Sequence, residues 1–247
     1  MNLALVIVPT YNESENVERL GAAIRSACPQ ADVLFVDDAS PDGTGARLNE
    51  LHARDPRIHV LHRERKQGLG TAYVAGFRWA LERDYAFVFE MDADFSHDPQ
   101  AVPELLAAAQ SADLVLGSRY LDGVRVVNWP LSRLILSRFA GYYVQVITGL
   151  PFSDPTGGFR CYRRAVLERL DLDRMDANGY AFQIEMLHAA WLAGFTIREL
   201  PIVFVERHSG QSKMNGAIVW EGAGMVWKLW AQAGFRRHPP TPPKEQP

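Results

Sequence analysis

The segment FVFEMDADFSHDP puts Asp92 and Asp94 two residues apart, directly after an apolar run. In extended backbone, side chains two positions apart point to the same side, so both carboxylates would face one ligand. Paired carboxylates suit a hard divalent cation. Mg²⁺ or Mn²⁺ held by one or two of them and by phosphate oxygens can neutralise the charge of a departing diphosphate. A solvated acidic turn would carry the same residues, so the pair alone does not separate the two readings. Two further polar segments, PTYNE (9–13) and VDDASPDGT (36–44), also close apolar runs upstream of it.

These segments need a scaffold that brings them together. Apolar runs at Leu3 to Val8, Val33 to Val36, Ile58 to Leu61, Tyr85 to Phe89 and Leu114 to Leu116 alternate with amphipathic stretches of helix length. That order predicts an α/β fold, a mainly parallel sheet with helices on both faces. Asn12 with Glu15 has the spacing of a capping box, and Pro99 and Pro103 are expected in first helical turns. In an open α/β sheet a ligand binds at the carboxyl ends of the strands. The loops beginning at Pro9, Asp37 and Asp92 should therefore meet at one crevice.

The chain of 247 residues is 47% hydrophobic, enough for one substantial core. A formal charge of −3 offers no general attraction to nucleic acid, so an anionic substrate must be held by local basic residues. Cys28 and Cys161 have neither metal-site spacing nor disulfide density, and they read as reduced, buried thiols. The opening MNLALVIVPTYNE lacks a basic n-region and reads as a strand rather than a signal peptide, which predicts a cytoplasmic protein.

Taken in order, PTYNE, VDDASPDGT and MDADFS resemble the inverting, metal-dependent glycosyltransferases of family 2 with a GT-A fold. LGSRYLDG, NWPLSR and SDPTGGFRCYRR narrow the resemblance to the polyprenol-phosphate (dolichol-phosphate) mannose synthases, and it runs from about Leu5 to about Gly222. The resemblance implies a donor shell of Pro9, Tyr11, Glu13, Asp38, Asp92, Ala93 and Asp94. A tyrosine gives an apolar face to a base or ribose, and carboxylates accept from base N–H or ribose hydroxyl groups. It also implies a metal held by Asp94, with Asp92 closer to the ribose or behind the ligand. Ser96 stands where some relatives carry a glutamine ligand. Arg119 and Arg133 would bind the acceptor phosphate, since a guanidinium fork fits phosphate oxygens. Gln183 and Glu185 would open a buried helix near the acceptor end. Arg207 and Lys213 would sit on a loop closing over the diphosphate, with Gly210 and Gly216 permitting the motion. His97 is assigned to the opening of the next helix and left outside the site.

The implied reaction is a single displacement with inversion, in which the phosphate of a polyprenyl or dolichyl monophosphate attacks the sugar of GDP-mannose. A phosphate monoester is already ionised near neutral pH, so no strong general base is required. The stretches near 129–150 and 216–235 are apolar but interrupted by charge, and neither is a clean membrane span. They are expected as interfacial helices of a peripheral enzyme on the cytoplasmic face of the membrane. Trp220, Trp227 and Trp230 share one helical face, which would suit either a headgroup layer or core packing. Residues 1–235 would form the catalytic domain, and the proline-rich 236–247 a disordered tail. Some relatives recruit a small membrane partner subunit. The alternatives are a UDP-sugar donor, glucose above all, on the same fold, and a non-catalytic nucleotide-binding adaptor at the membrane.

Overall fold

A computed structural model describes residues 3–175, 179–206 and 216–234, excluding the side chains of 180 and 216–222. In chain order the elements are β1 (Leu3–Thr10), α1 (Val17–Ala27), β2 (Ala31–Asp37), α2 (Thr44–Arg54), β3 (Ile58–His62), α3 (Leu69–Leu81) and β4 (Tyr85–Glu90). They continue with α4 (Val102–Ala108), β5 (Leu114–Ser118), β6 (Val126–Val127), α5 (Leu131–Thr148), β7 (Arg160–Arg163), α6 (Arg164–Arg169), α7 (Tyr180–Leu192), β8 (Ile197–Pro201), β9 (Phe204–Val205) and α8 (Gly216–Gln232). Short 3₁₀ turns at Pro99–Ala101 and Leu172–Arg174 precede α4 and α7.

The main sheet has seven strands in the order β3-β2-β1-β4-β7-β5-β8. All are parallel except β7, which runs antiparallel to both β4 and β5. Every expected strand forms. The central ones are buried on both faces: Val6 and Val8 point into one apolar layer with Val17, Leu20 and Ile24 of α1, while Leu5 and Ile7 point into the other with Tyr73 and Phe77 of α3. That two-sided burial explains why β1 and β2 read as continuous apolar runs rather than alternating ones. Helix α3 lies so close to β1 that a Cβ on Gly76 would come within 2.7 Å of Ile7 Cγ2, so the packing requires glycine there.

Strand order reverses about β1, whose neighbours are β2 on one side and β4 on the other. This switch point opens a crevice at the carboxyl end of the sheet. Two sequence expectations are corrected. Asn12 and Glu15 do not form a capping box: α1 begins at Val17 behind Asn16, without a side-chain cap. The loop before it is tied across to the β2–α2 loop instead, with Asn12, Ser14 and Glu13 backbone N–H groups donating to Ser40 Oγ, Asp42 Oδ2 and Thr44 Oγ1 at 3.1, 3.1 and 3.0 Å. The tryptophans of α8 divide between the two environments offered for them. Trp227 is 51% exposed, whereas Trp230 packs against the core and meets Trp227 edge-to-face at 5.4 Å. Trp220's side chain and the tail beyond 235 lie outside the described residues.

Candidate functional site

Three loops leave the carboxyl ends of β1, β2 and β4, and each contains a non-glycine residue in left-handed backbone: Asn12 at φ 60°, Ala39 at φ 54° and Phe95 at φ 61°. Such conformations persist where the surroundings dictate them, and they gather at ligand sites. The loops border a cavity of about 390 Å³ lined by Pro9, Tyr11, Glu13, Asp38, Asp92, Ala93, Asp94 and Ser96. Arg119 and Arg133 line the same cavity, so the expected donor and acceptor residues that are described converge on one space. Arg207, Lys213 and Gly210 lie outside the described residues.

Most of these charges are already engaged within the protein. Asp38 accepts from Arg63 Nη1 at 2.7 Å and from the Gln67 N–H at 3.2 Å, which holds the β3–α3 connection against the β2 loop. Glu13 accepts from Asn16 Nδ2 at 2.7 Å. Tyr11 carries Lys66 Nζ 3.8 Å above its ring centre, a cation–π contact that brings a basic group to the cavity wall. Sequence reasoning passed over Lys66, although it lies in the basic run RERKQG that follows β3.

The carboxylate pair is positioned by a turn rather than by extended chain. β4 ends at Glu90, and Asp94 Oδ1 accepts from the Ser96 N–H at 3.0 Å. Asp92 Oδ1 takes the Tyr73 hydroxyl at 3.4 Å, and the Asp92 N–H donates to His97 Nδ1 at 3.2 Å. An accepting Nδ1 requires neutral imidazole, and burial does hold the His97 pKa below its ordinary value. His97 stacks on Phe159 at 5.1 Å and lines the cavity, so it supports the metal-type loop from beneath. The sequence assigns it to the opening of the next helix, but that helix begins behind Asp98, and His97 stands in the cavity wall.

Ser96 Oγ is buried, faces this cavity and has no hydrogen-bond partner among the described residues. Together with the two aspartates it forms an oxygen-only donor set, the kind hard divalent cations select. No group of three or more acidic, histidine or cysteine residues able to hold a metal by themselves occurs among the described residues. A cation held by this set would take its remaining ligands from substrate phosphate and water.

Arg119, just after β5, is 5% exposed and grips Asp154 through Nε and Nη2, both at 2.6 Å, with Nη2 also donating to Thr156 Oγ1 at 2.9 Å. The Arg119 guanidinium holds the Asp154 carboxyl below its ordinary pKa against the opposing effect of burial. Arg133 pairs with Glu206 and lies 4.2 Å over the Trp129 ring. Arg160, fully buried, was also missed. Its donors run to the carbonyls of Gly157, Gln183 and Pro155 at 2.8, 2.6 and 3.0 Å, tying the 155–158 loop to the first turn of α7. Beneath Asp92, Glu90 is wholly buried and its pKa is raised to about 7, chiefly by desolvation.

The sequence profile of Glycosyl transferase family 2 matches residues 5–171. The chain is 49% identical over 230 residues to the undecaprenyl-phosphate mannosyltransferase of Micrococcus luteus, covering 92% of this chain and 95% of that protein. It is 50% identical over 219 residues to the polyprenol monophosphomannose synthase of Mycolicibacterium smegmatis, covering 88% and 83%. Among solved structures, glucosyl-3-phosphoglycerate synthase from Mycobacterium tuberculosis superposes with a TM-score of 0.66 at 18% identity, covering 98% of this chain and 82% of that one. The same enzyme has been solved with Mn²⁺, UDP and glucosyl-3-phosphoglycerate, at a TM-score of 0.66 and 17% identity. That likeness establishes the GT-A fold. With the strand-end cavity and these relatives in hand, the chain belongs to glycosyltransferase family 2 and is a glycosyltransferase.

Proposed function

We propose that this enzyme transfers mannose from GDP-mannose to a polyprenyl monophosphate, with inversion at the anomeric carbon, at the membrane surface. The observation that carries the reading is that one cavity is lined both by carboxylates suited to a metal–diphosphate, in the loop after β4, and by two arginines, Arg119 and Arg133. The two close relatives named for polyprenyl-phosphate mannose transfer support it. The nucleoside would lie against Pro9, Tyr11, Glu13 and Asp38, with Lys66 toward the phosphates. Asp94, Asp92 and Ser96 would hold Mg²⁺ or Mn²⁺, which when bound offsets the charge accumulating on the diphosphate. An acceptor phosphate oxygen, oriented by Arg133 with Arg119 behind it, forms a bond to C1 of mannose as the bond from C1 to the β-phosphate oxygen breaks. GDP departs with that electron pair, and Ala93 in the same turn contributes to the donor wall. Arg207 and Lys213 are proposed to close over the diphosphate.

The acceptor's long tail needs an apolar exit. Helix α5 exposes Leu131, Ile135, Phe139, Tyr142 and Val146, by 69, 60, 64, 64 and 47%. Their spacing of i, i+4, i+8, i+11 and i+15 draws a single stripe along the helix. No described helix is long and apolar enough to cross a membrane. Large apolar side chains in one exposed stripe suit a helix lying in the headgroup layer, with Arg133 on the same helix turned to the cavity. A UDP-sugar donor would use the same carboxylates, so the deciding experiment offers labelled GDP-mannose and UDP-glucose separately with a short polyprenyl phosphate. Product from GDP-mannose, with the anomeric configuration opposite to the donor's by NMR, is expected. Product from UDP-glucose alone would reassign the donor.

A further inference from the structure

Gln183 sits in the first turn of α7, is 2% exposed and lines the cavity, yet neither its Oε1 nor its Nε2 has a hydrogen-bond partner among the described residues. A buried primary amide with both ends unsatisfied is costly, and such groups are retained where something else completes them. Arg160 Nη1 holds the Gln183 carbonyl at 2.6 Å and fixes this turn, and Glu90, whose carboxyl the amide lies near enough to favour in its charged form, reaches neither amide atom at hydrogen-bond geometry. The space in front of the amide is kept open by Gly158, where a Cβ would stand 3.8 Å from Gln183 Nε2 and 3.8 Å from His97 Cε1.

The neighbours of Gln183 point to the missing partner. Gln183 approaches His97 across Gly158, and His97 bonds the Asp92 backbone, which places the amide beside the metal-type loop in a cavity that Thr156 and Arg119 also line. Between a diphosphate and an acceptor phosphate lies the hexose being transferred. A ring hydroxyl both donates and accepts, which matches an amide that offers both functions. We infer that Gln183 reads a hydroxyl of the transferred sugar, its amide being the unsatisfied pair that the hexose completes. The inference rests on the donor site proposed above and adds a sugar-recognising residue to it.

The test uses Gln183→Met, which keeps the volume and removes both hydrogen-bonding atoms. Affinities for GDP, GDP-mannose, UDP and UDP-glucose are measured with Mn²⁺ by calorimetry, alongside thermal unfolding without ligand. Loss of about tenfold for the nucleotide sugar with the bare nucleotide unchanged is expected, the scale of one or two hydrogen bonds. The variant's Tm should equal or exceed that of the wild type, because an unsatisfied amide has been removed from the interior. Equal losses for nucleotide and nucleotide sugar, unchanged affinities for both, or a lowered Tm with the ratio unchanged would overturn the inference in favour of a structural role. If wild type binds UDP-glucose and not GDP-mannose, the donor assignment falls while the UDP pair still decides Gln183. If wild type binds no nucleotide sugar, both fall together.

Discussion

Arg119 and Asp154 form a bidentate ion pair inside the protein, with Nε and Nη2 each 2.6 Å from a carboxylate oxygen and side chains only 6 and 1% exposed. The pair fastens the end of β5 to the loop before β7, and Asp154 also receives the Arg119 N–H at 3.0 Å. Arg119 therefore faces the cavity as a residue whose orientation Asp154 sets. Asp154→Ala leaves a buried guanidinium uncompensated and is expected to lower stability by about 3 to 5 kcal/mol, measured by urea denaturation. Arg119→Met with Asp154→Leu should recover much of that stability while acceptor turnover stays low.

Glu206 occupies Arg133 in the structure, a carboxylate where the acceptor phosphate would bind. Glu206→Gln removes that competitor. With the two side chains partly exposed, the pair is worth about 1 kcal/mol, so the acceptor KM should fall roughly fivefold in steady-state assays. Arg133→Ala should raise it.

His188 is 3% exposed in α7, its Nε2 lacks a partner among the described residues, and desolvation lowers its pKa from 6.5 to about 4. The folded chain keeps this imidazole neutral where the unfolded chain would protonate it. Its contribution is thus fully present above pH 6.5 and lost as pH falls toward 4, up to about 3 kcal/mol. His188→Leu should flatten the decline in stability between those pH values, read from urea midpoints in a pH series.

The α5 stripe gives a separable prediction. Phe139→Glu, at a position 64% exposed, should leave folding and turnover of a short, soluble acceptor unchanged while reducing binding to anionic lipid vesicles in a flotation assay. Equal vesicle binding by variant and wild type would assign the stripe to another partner.

How far the molecule could be read in advance follows from the kind of signal each residue leaves. Asp92 and Asp94 were legible because an apolar run ends immediately before them and fixes their place at a strand's end. The expectation that they extend from the strand failed because Asp94 closes a turn on Ser96, an interaction within three residues that strand periodicity does not encode. β7 escaped notice since its four residues, RCYR, begin and end with arginine, and only the pairing with β4 and β5 makes it a strand. Arg160 and Arg163 satisfy their charges on carbonyl oxygens, partners that a sequence does not display. The Asn12–Glu15 cap was misread because contacts with Ser40, Asp42 and Thr44, distant in sequence, claim that loop's backbone.

The central claim is mannosyl transfer to a polyprenyl phosphate at the cavity that holds Asp94, and one assay addresses it. Labelled GDP-mannose, a short polyprenyl phosphate and Mn²⁺ are incubated with wild type and with Asp94→Ala, each first shown by thermal unfolding to be folded. The account predicts lipid-extractable mannose with wild type, abolished by a chelator and reduced at least a hundredfold by Asp94→Ala, about the 3 kcal/mol expected for losing a charge-stabilising group. Undiminished transfer by Asp94→Ala, or none by wild type with this donor and acceptor, would contradict it.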